Sequence, residues 1–171
     1  MKVYFSHGKE SGPWGSKIKK LADKALTLGF SVDSIDYTDT FDPDKRAAKL
    51  VTLLKNETQP FLLVGSSMGG YVSLVAAEQA TPKGLFLLAP ALYIPDYQVQ
   101  HYCKTLDSSI RIEVVHGWED EVIPFNHSVR FAQQRDCFLH LISGDHRLNT
   151  SINEVEQLFI QFLASFSLNK E

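Results

Sequence analysis

The stretch FLLVGSSMGG, residues 61–70, constrains this chain more than any other. Its first residues are apolar and read as a short buried strand, and residues 68–79 beyond it read as a helix. Between the two lies the pattern Gly65-x-Ser67-x-Gly69. A chain that turns this sharply from strand to helix has room only for small side chains, which accounts for a glycine on each side of the serine. Strand, G-x-S-x-G and helix in that order form the setting that holds a serine up for attack. The competing role for Ser67 is to cap the helix that follows it.

The rest of the chain repeats the alternation. Strands are predicted at residues 2–6, 31–35, 61–66, 84–88, 110–116 and 137–142. Helices are predicted at 14–28, 43–56, 68–79, from Pro124 to about 134, and at 152–167. Ile18, Leu21, Ala22 and Ala25 share one face of the first helix, and Gly29 stops it. Ala47, Leu50, Val51 and Leu54 recur at core spacing in the second. Apolar strands separated by helices imply a parallel sheet covered on both faces, an α/β three-layer sandwich. Ligands of such sheets bind beyond the carboxyl ends of the strands, and every candidate residue below falls at such an end.

At 171 residues, with 44% hydrophobic and 22% charged residues, the chain fits one domain, residues 1–171, with a sizeable core. A formal net charge of -3 leaves no basic footprint for nucleic acid, and no apolar run is long enough to span a bilayer. The first residues enter a strand directly, without the apolar region of a secretory signal. Cys103 and Cys137 have no metal or redox spacing. They read as free thiols, and the expected location is cytoplasmic.

An acyl-transfer site needs a nucleophile, a base, a group that orients the base, and donors for the oxyanion. Ser67 is the candidate nucleophile. The base is expected last in chain order, where Gly144-Asp145-His146 follows the sixth strand, so His146 is the candidate. An imidazole can take and return a proton near neutral pH. The other histidines, His101, His116, His127 and His140, read as structural or substrate-lining. The orienting acid is expected after the fifth strand, in His116-Gly117-Trp118-Glu119-Asp120-Glu121-Val122-Ile123-Pro124. Asp120 is preferred, because Val-Ile-Pro sets the turn around it. Glu119, Glu121, Asp145 and Asp96 are its rivals. The oxyanion donors are expected to be the backbone N–H of Met68 and that of Lys9 in the loop after the first strand, with Gly8 next. His7, Tyr93, Ile94, Tyr97 and Trp118 are candidate substrate-lining residues.

On these motifs the chain resembles the α/β-hydrolase superfamily, and within it the very small, lidless, bacterial esterase-like members. The resemblance rests on His7-Gly8, on Gly65-Ser66-Ser67-Met68-Gly69-Gly70, on the 116–124 run and on Gly144-Asp145-His146. It covers essentially the whole chain. It implies a Ser67–Asp120–His146 triad and six parallel strands in the order 2-1-3-4-5-6. It also implies that the usual two leading antiparallel strands are missing. Residues 89–109 leave room for a short loop and one helix where fuller members insert a lid.

The implied function is a serine hydrolase that cleaves a small carboxylic ester or thioester through an acyl-enzyme, with no cofactor and no metal. Acyl transfer to another acceptor, and amide or carbon–carbon hydrolysis, would use the same triad, since fold does not decide among reactions. An inactive hydrolase fold serving as a binding protein is the alternative from a different class, although neither nucleophile nor base is lost. Dinucleotide binding is weaker, because the glycines lack G-x-G-x-x-G spacing.

Overall fold

The computed structural model describes residues 1–102 and 106–167. Cys103 lies outside the described residues, and with it that part of the thiol expectation. The described residues form β1 (Lys2–Ser6), α1 (Ser16–Thr27), β2 (Ser31–Ile35), α2 (Pro43–Leu54), β3 (Phe61–Ser66), α3 (Met68–Ala80), β4 (Gly84–Leu88), β5 (Arg111–Gly117), α4 (Phe125–Arg135), β6 (Phe138–Ile142) and α5 (Ile152–Ser167). The strands make one sheet in the order β2-β1-β3-β4-β5-β6, and every neighbouring pair is parallel. This is the expected strand order.

Parallel neighbours must be joined by crossovers, so helices cover both faces and the central strands become apolar on both sides. Successive residues of β3 show this directly. Leu62 and Val64 join Val3, Phe5, Phe86, Phe159 and Phe162 in the core beneath α1 and α5. Leu63 joins Tyr4, Leu50, Leu85, Leu87 and Phe131 in the core beneath α2, α3 and α4. The period-2 alternation of a strand thus feeds two separate cores.

Helix ends follow local chemistry. Asp42 caps α2, its Oδ1 accepting from the N–H groups of Asp44 and Lys45, and Pro43 fills the first turn where no N–H is needed. Two starts fall later than expected. Gly15 is the cap of α1, which therefore begins at Ser16. Pro124 is extended (ψ 125°) and sits at the cap of α4, one residue before the helix.

Residues 89–109 contain no helix among those described. Side chains do what a helical ladder would have done for the backbone there. The Tyr93 N–H donates to the Tyr102 hydroxyl, the Val99 N–H to the Tyr71 hydroxyl, and Gln100 Nε2 to the carbonyls of Ile94 and Tyr97. Among the described residues, no helix is long and apolar enough to cross a membrane.

Candidate active site

Strand register brings the candidate loops together. Ser6 at the end of β1 pairs with Gly65, Ser66 at the end of β3 pairs with Leu88, and Gly117 at the end of β5 pairs with Ile142. The loops after β1, β3, β5 and β6 therefore all rise from one edge of the sheet.

Ser67 sits at the turn between β3 and α3 with φ 55° and ψ -120°, a backbone state costly for a residue with a side chain. The turn is held by its neighbours: the Ser67 N–H donates to the Leu88 carbonyl, and the Ser67 carbonyl accepts from Gly70 and Ala91. Gly69 is required by space, since a Cβ there would lie 1.9 Å from the Ser6 carbonyl oxygen. One at Gly65 would lie 2.2 Å from the Gly69 oxygen. Ser67 occupies the cap position of α3, yet its side chain makes no capping hydrogen bond. Its Oγ lies 2.9 Å from His146 Nε2 instead.

β6 is three strands from β3, roughly 14 Å at the usual spacing of parallel neighbours. An imidazole cannot bridge that distance, so the loop after β6 must run back over the sheet. It does so across the end of β5. A Cβ on Gly117 would lie 2.0 Å from the Gly144 oxygen, so glycine is what lets the two loops cross. The Glu119 N–H donates to the Gly144 carbonyl, and the Gly144 N–H donates to Glu119 Oε2. Below the loop, Lys17 Nζ of α1 donates to the Arg147 carbonyl. Burial pulls the Lys17 ammonium down to about 8, against the opposing pull of Asp145 and Asp120.

Asp120 is a hub. Its Oδ2 lies 2.7 Å from His146 Nδ1 and 2.9 Å from His116 Nε2, and its Oδ1 accepts from the N–H groups of Val122 and Ile123, each at 2.8 Å. His116 Nε2 also faces the Ile123 carbonyl at 3.0 Å. A carbonyl only accepts, so this nitrogen carries the hydrogen and donates to both oxygens. The remaining nitrogen, Nδ1, then accepts from the Ser128 hydroxyl at 2.7 Å. Burial lowers the His116 pKa, against the pull of Asp120, which keeps the ring neutral. For Asp120, burial alone would raise the pKa. Hydrogen bonds from His146, Ile123 and Val122 outweigh it, and the carboxyl is held below its ordinary value.

The loop after β1 borders Ser67 from the other side. A Cβ on Gly8 would meet Ser67 Cβ at 3.6 Å. Met68 is 2% exposed at the first position of α3. The Lys9 N–H donates to no acceptor among the described residues.

The structure brings Ser67, His146 and Asp120 into one hydrogen-bonded row and separates the rivals of Asp120 from it. Glu119 clips the two loops together. Asp145 turns its Oδ1 to the N–H groups of Arg147 and Leu148, and Glu121 and Asp96 are exposed.

Two lining expectations are corrected. His7 is fully buried: its Nδ1 donates to the Gly8 carbonyl, and its Nε2 accepts from the Tyr37 N–H. Tyr93 is buried in the core, with its hydroxyl 2.9 Å from Gln134 Oε1 and Arg130 over its ring. Both follow strand ends, where buried bracing residues belong as well as lining ones. Ile94 and Tyr97 are half-buried, with Tyr97 packed on Tyr71. Trp118 is 50% exposed and packs edge-on against Phe125. A groove of about 350 Å³ between α2 and α3, lined by Ala47, Val51, Val75 and Val99, does not include Ser67.

Sequence reasoning left His116 among the merely structural or lining histidines. The available signal was its position four residues before Asp120 within one motif. Arg46 was not singled out, although it lies four residues before Leu50 on the apolar stripe of α2.

Solved structures resemble the chain over nearly its whole length. A Xanthomonas campestris pv. campestris protein assigned to the alpha/beta hydrolase superfamily is 28% identical, with a TM-score of 0.86, over 96% of this chain and 98% of that one. Est1E from Butyrivibrio proteoclasticus is 20% identical, with a TM-score of 0.79, over 96% and 87%. The ydeN gene product of B. subtilis is 19% identical, with a TM-score of 0.77, over 97% and 98%. The last two likenesses are of fold alone. Neither a protein-family model nor a curated protein sequence matches the chain.

Proposed function

Since this chain is a member of the α/β-hydrolase superfamily, we propose that it is a serine hydrolase cleaving a small carboxylic ester or thioester. The observation that carries the reading is the row Ser67 Oγ, His146 Nε2, His146 Nδ1, Asp120 Oδ2, with separations of 2.9 Å and 2.7 Å at its two hydrogen bonds. The Asp120 carboxylate only accepts, so Nδ1 carries the hydrogen and Nε2 offers its lone pair to the Ser67 hydroxyl.

In the first step His146 takes the hydroxyl proton as Ser67 Oγ bonds to the substrate carbonyl carbon. Asp120 holds the tautomer and stabilises the imidazolium without taking the proton. The carbonyl oxygen becomes an oxyanion, received by the N–H groups of Met68 and Lys9. The carbon–oxygen or carbon–sulfur bond then breaks, and His146 returns its proton to the leaving alcohol or thiol. A water, deprotonated by the same imidazole, attacks the acyl-enzyme and releases the acid. Trp118, Ile94 and Tyr97 are the wall residues this reading retains.

Replacement Ser67→Ala is expected to lower turnover of a short-chain nitrophenyl ester by about 10⁴-fold or more, with an unchanged melting curve. Wild-type turnover in that variant would place the chemistry on another residue.

A further inference from the structure

Arg46 is a fully buried guanidinium whose polar contacts, among the described residues, are all backbone carbonyls and none a carboxylate. Nε donates to the Thr40 carbonyl at 2.7 Å. One terminal nitrogen donates to the Gly8 carbonyl and the other to the Lys9 carbonyl, both at 3.1 Å. The fork lies over the Tyr37 ring, 5.6 Å from its centroid. Taking a cation out of water without an anionic partner is expensive, and structures retain such a group where its hydrogen bonds hold something in place.

What it holds is the loop that borders Ser67. The Gly8 carbonyl also accepts from His7 Nδ1 at 2.8 Å, and the Tyr37 N–H fixes that imidazole from behind. A trans peptide points its N–H opposite to its C=O. With the Gly8 oxygen drawn toward α2 and His7, the Lys9 N–H of the same peptide is turned the other way, and it has no acceptor among the described residues. The fork on two successive carbonyls suits the planar guanidinium and not a point-like ammonium.

We propose that Arg46 is a positioning residue, which fixes the Gly8–Lys9 peptide so that its N–H serves the oxyanion formed on the substrate of Ser67. This rests on the hydrolase reading above. The developing oxyanion exists only in the transition state, so loss of Arg46 acts on kcat and leaves KM nearly unchanged.

The test uses the full chain, a short-chain nitrophenyl ester, and titration of active sites with a fluorophosphonate so that kcat is expressed per reactive serine. Arg46→Gln is expected to lose about 10²–10³-fold in kcat per site, the scale of one oxyanion donor, with KM within about threefold. Should Arg46→Gln not fold, Arg46→Lys serves, with an expected loss of at least about tenfold. The combination with Lys9→Pro, which deletes the N–H itself, reads the mechanism: Arg46 replacement is expected to cost little more once that donor is gone. Wild-type kcat per site in a folded Arg46 variant overturns the inference. So do losses that multiply in full with those of Lys9→Pro, or a loss confined to the number of reactive sites. If wild-type protein neither labels nor turns over, the hydrolase reading itself has failed, and the inference falls with it.

Discussion

Ser67 is flanked by two differently built walls. On the β5–β6 side, a charged side chain does the organising: the Asp120 carboxylate gathers His146, His116 and two backbone N–H groups within 2.9 Å. On the β1–β2 side the organiser is a cation, Arg46, and the groups it gathers are carbonyls. On the function proposed above, the first wall holds a side chain that exchanges a proton, and the second holds a peptide plane that only presents an N–H. A base needs a partner that tolerates a change of charge, and an ionised carboxylate in a shell of donors supplies it. A donor N–H needs fixed direction, and a rigid fork on the carbonyl side supplies that.

The sharpest way to break this contrast is to neutralise the hub. Asp120→Asn preserves shape but offers an amide where His146 Nδ1–H needs an acceptor. Turnover is expected to fall by about 10³–10⁴-fold with KM little changed. A loss below tenfold would mean that the carboxylate is not what prepares the base. The corresponding test of the other wall, removal of the Arg46 fork, should act on the same kinetic constant with a smaller effect.

A smaller effect separates His116 from His7, one buried neutral histidine in each wall. Burial lowers the pKa of both. The unfolded chain, with ordinary histidines near ~6.5, binds more protons than the native protein just below that pH. Each ring therefore contributes stability that is present above about 6.5 and is lost as pH falls below it. Asp120 behaves alike in sign but in a lower window: its contribution is present above the ordinary carboxyl value near ~3.9 and is lost as pH falls through its depressed native value. The wild-type melting temperature is expected to drop between pH 7 and pH 5, and His116→Gln to flatten that drop. The same substitution keeps an amide N–H for Asp120 but removes the ring nitrogen that accepts from the buried Ser128 hydroxyl, which costs about 1–3 kcal/mol at pH 7. A pH slope identical to wild type would show that His116 takes no part in acid unfolding.

How far the sequence could be read follows the same division. The alternation of strands and helices and the Ser67 turn were legible because apolar strands, glycines and helix patterns are local signals, whereas the strand order was implied only by the family resemblance that the motifs carry. The Asp120 wall was largely legible too, since its parts sit in two short motifs, 116–124 and 144–146. Its second histidine was less so: its place four residues before Asp120 in the 116–124 run is the signal, but residue identity alone does not tell whether a ring faces solvent or a carboxylate. The Arg46 wall was almost illegible. It joins Gly8, Lys9, Tyr37, Thr40 and Arg46 from three elements through backbone oxygens, and a carbonyl leaves no mark in residue identity. His7 was misread as lining for the same reason: its partners are a carbonyl and an N–H. Residues 89–109 leave room for one helix, but in the described part of that span the backbone is served by side-chain hydrogen bonds from Tyr71, Tyr102 and Gln100, which pattern reading does not weigh.

The claim on which both walls depend is that His146 activates Ser67. Fluorophosphonate labelling followed by peptide mapping tests it most directly. The expected result is a single phosphonyl adduct on Ser67, absent in Ser67→Ala and formed about 10³-fold or more slowly in His146→Ala. An adduct on another residue, or labelling of Ser67 at the wild-type rate without His146, would contradict the account.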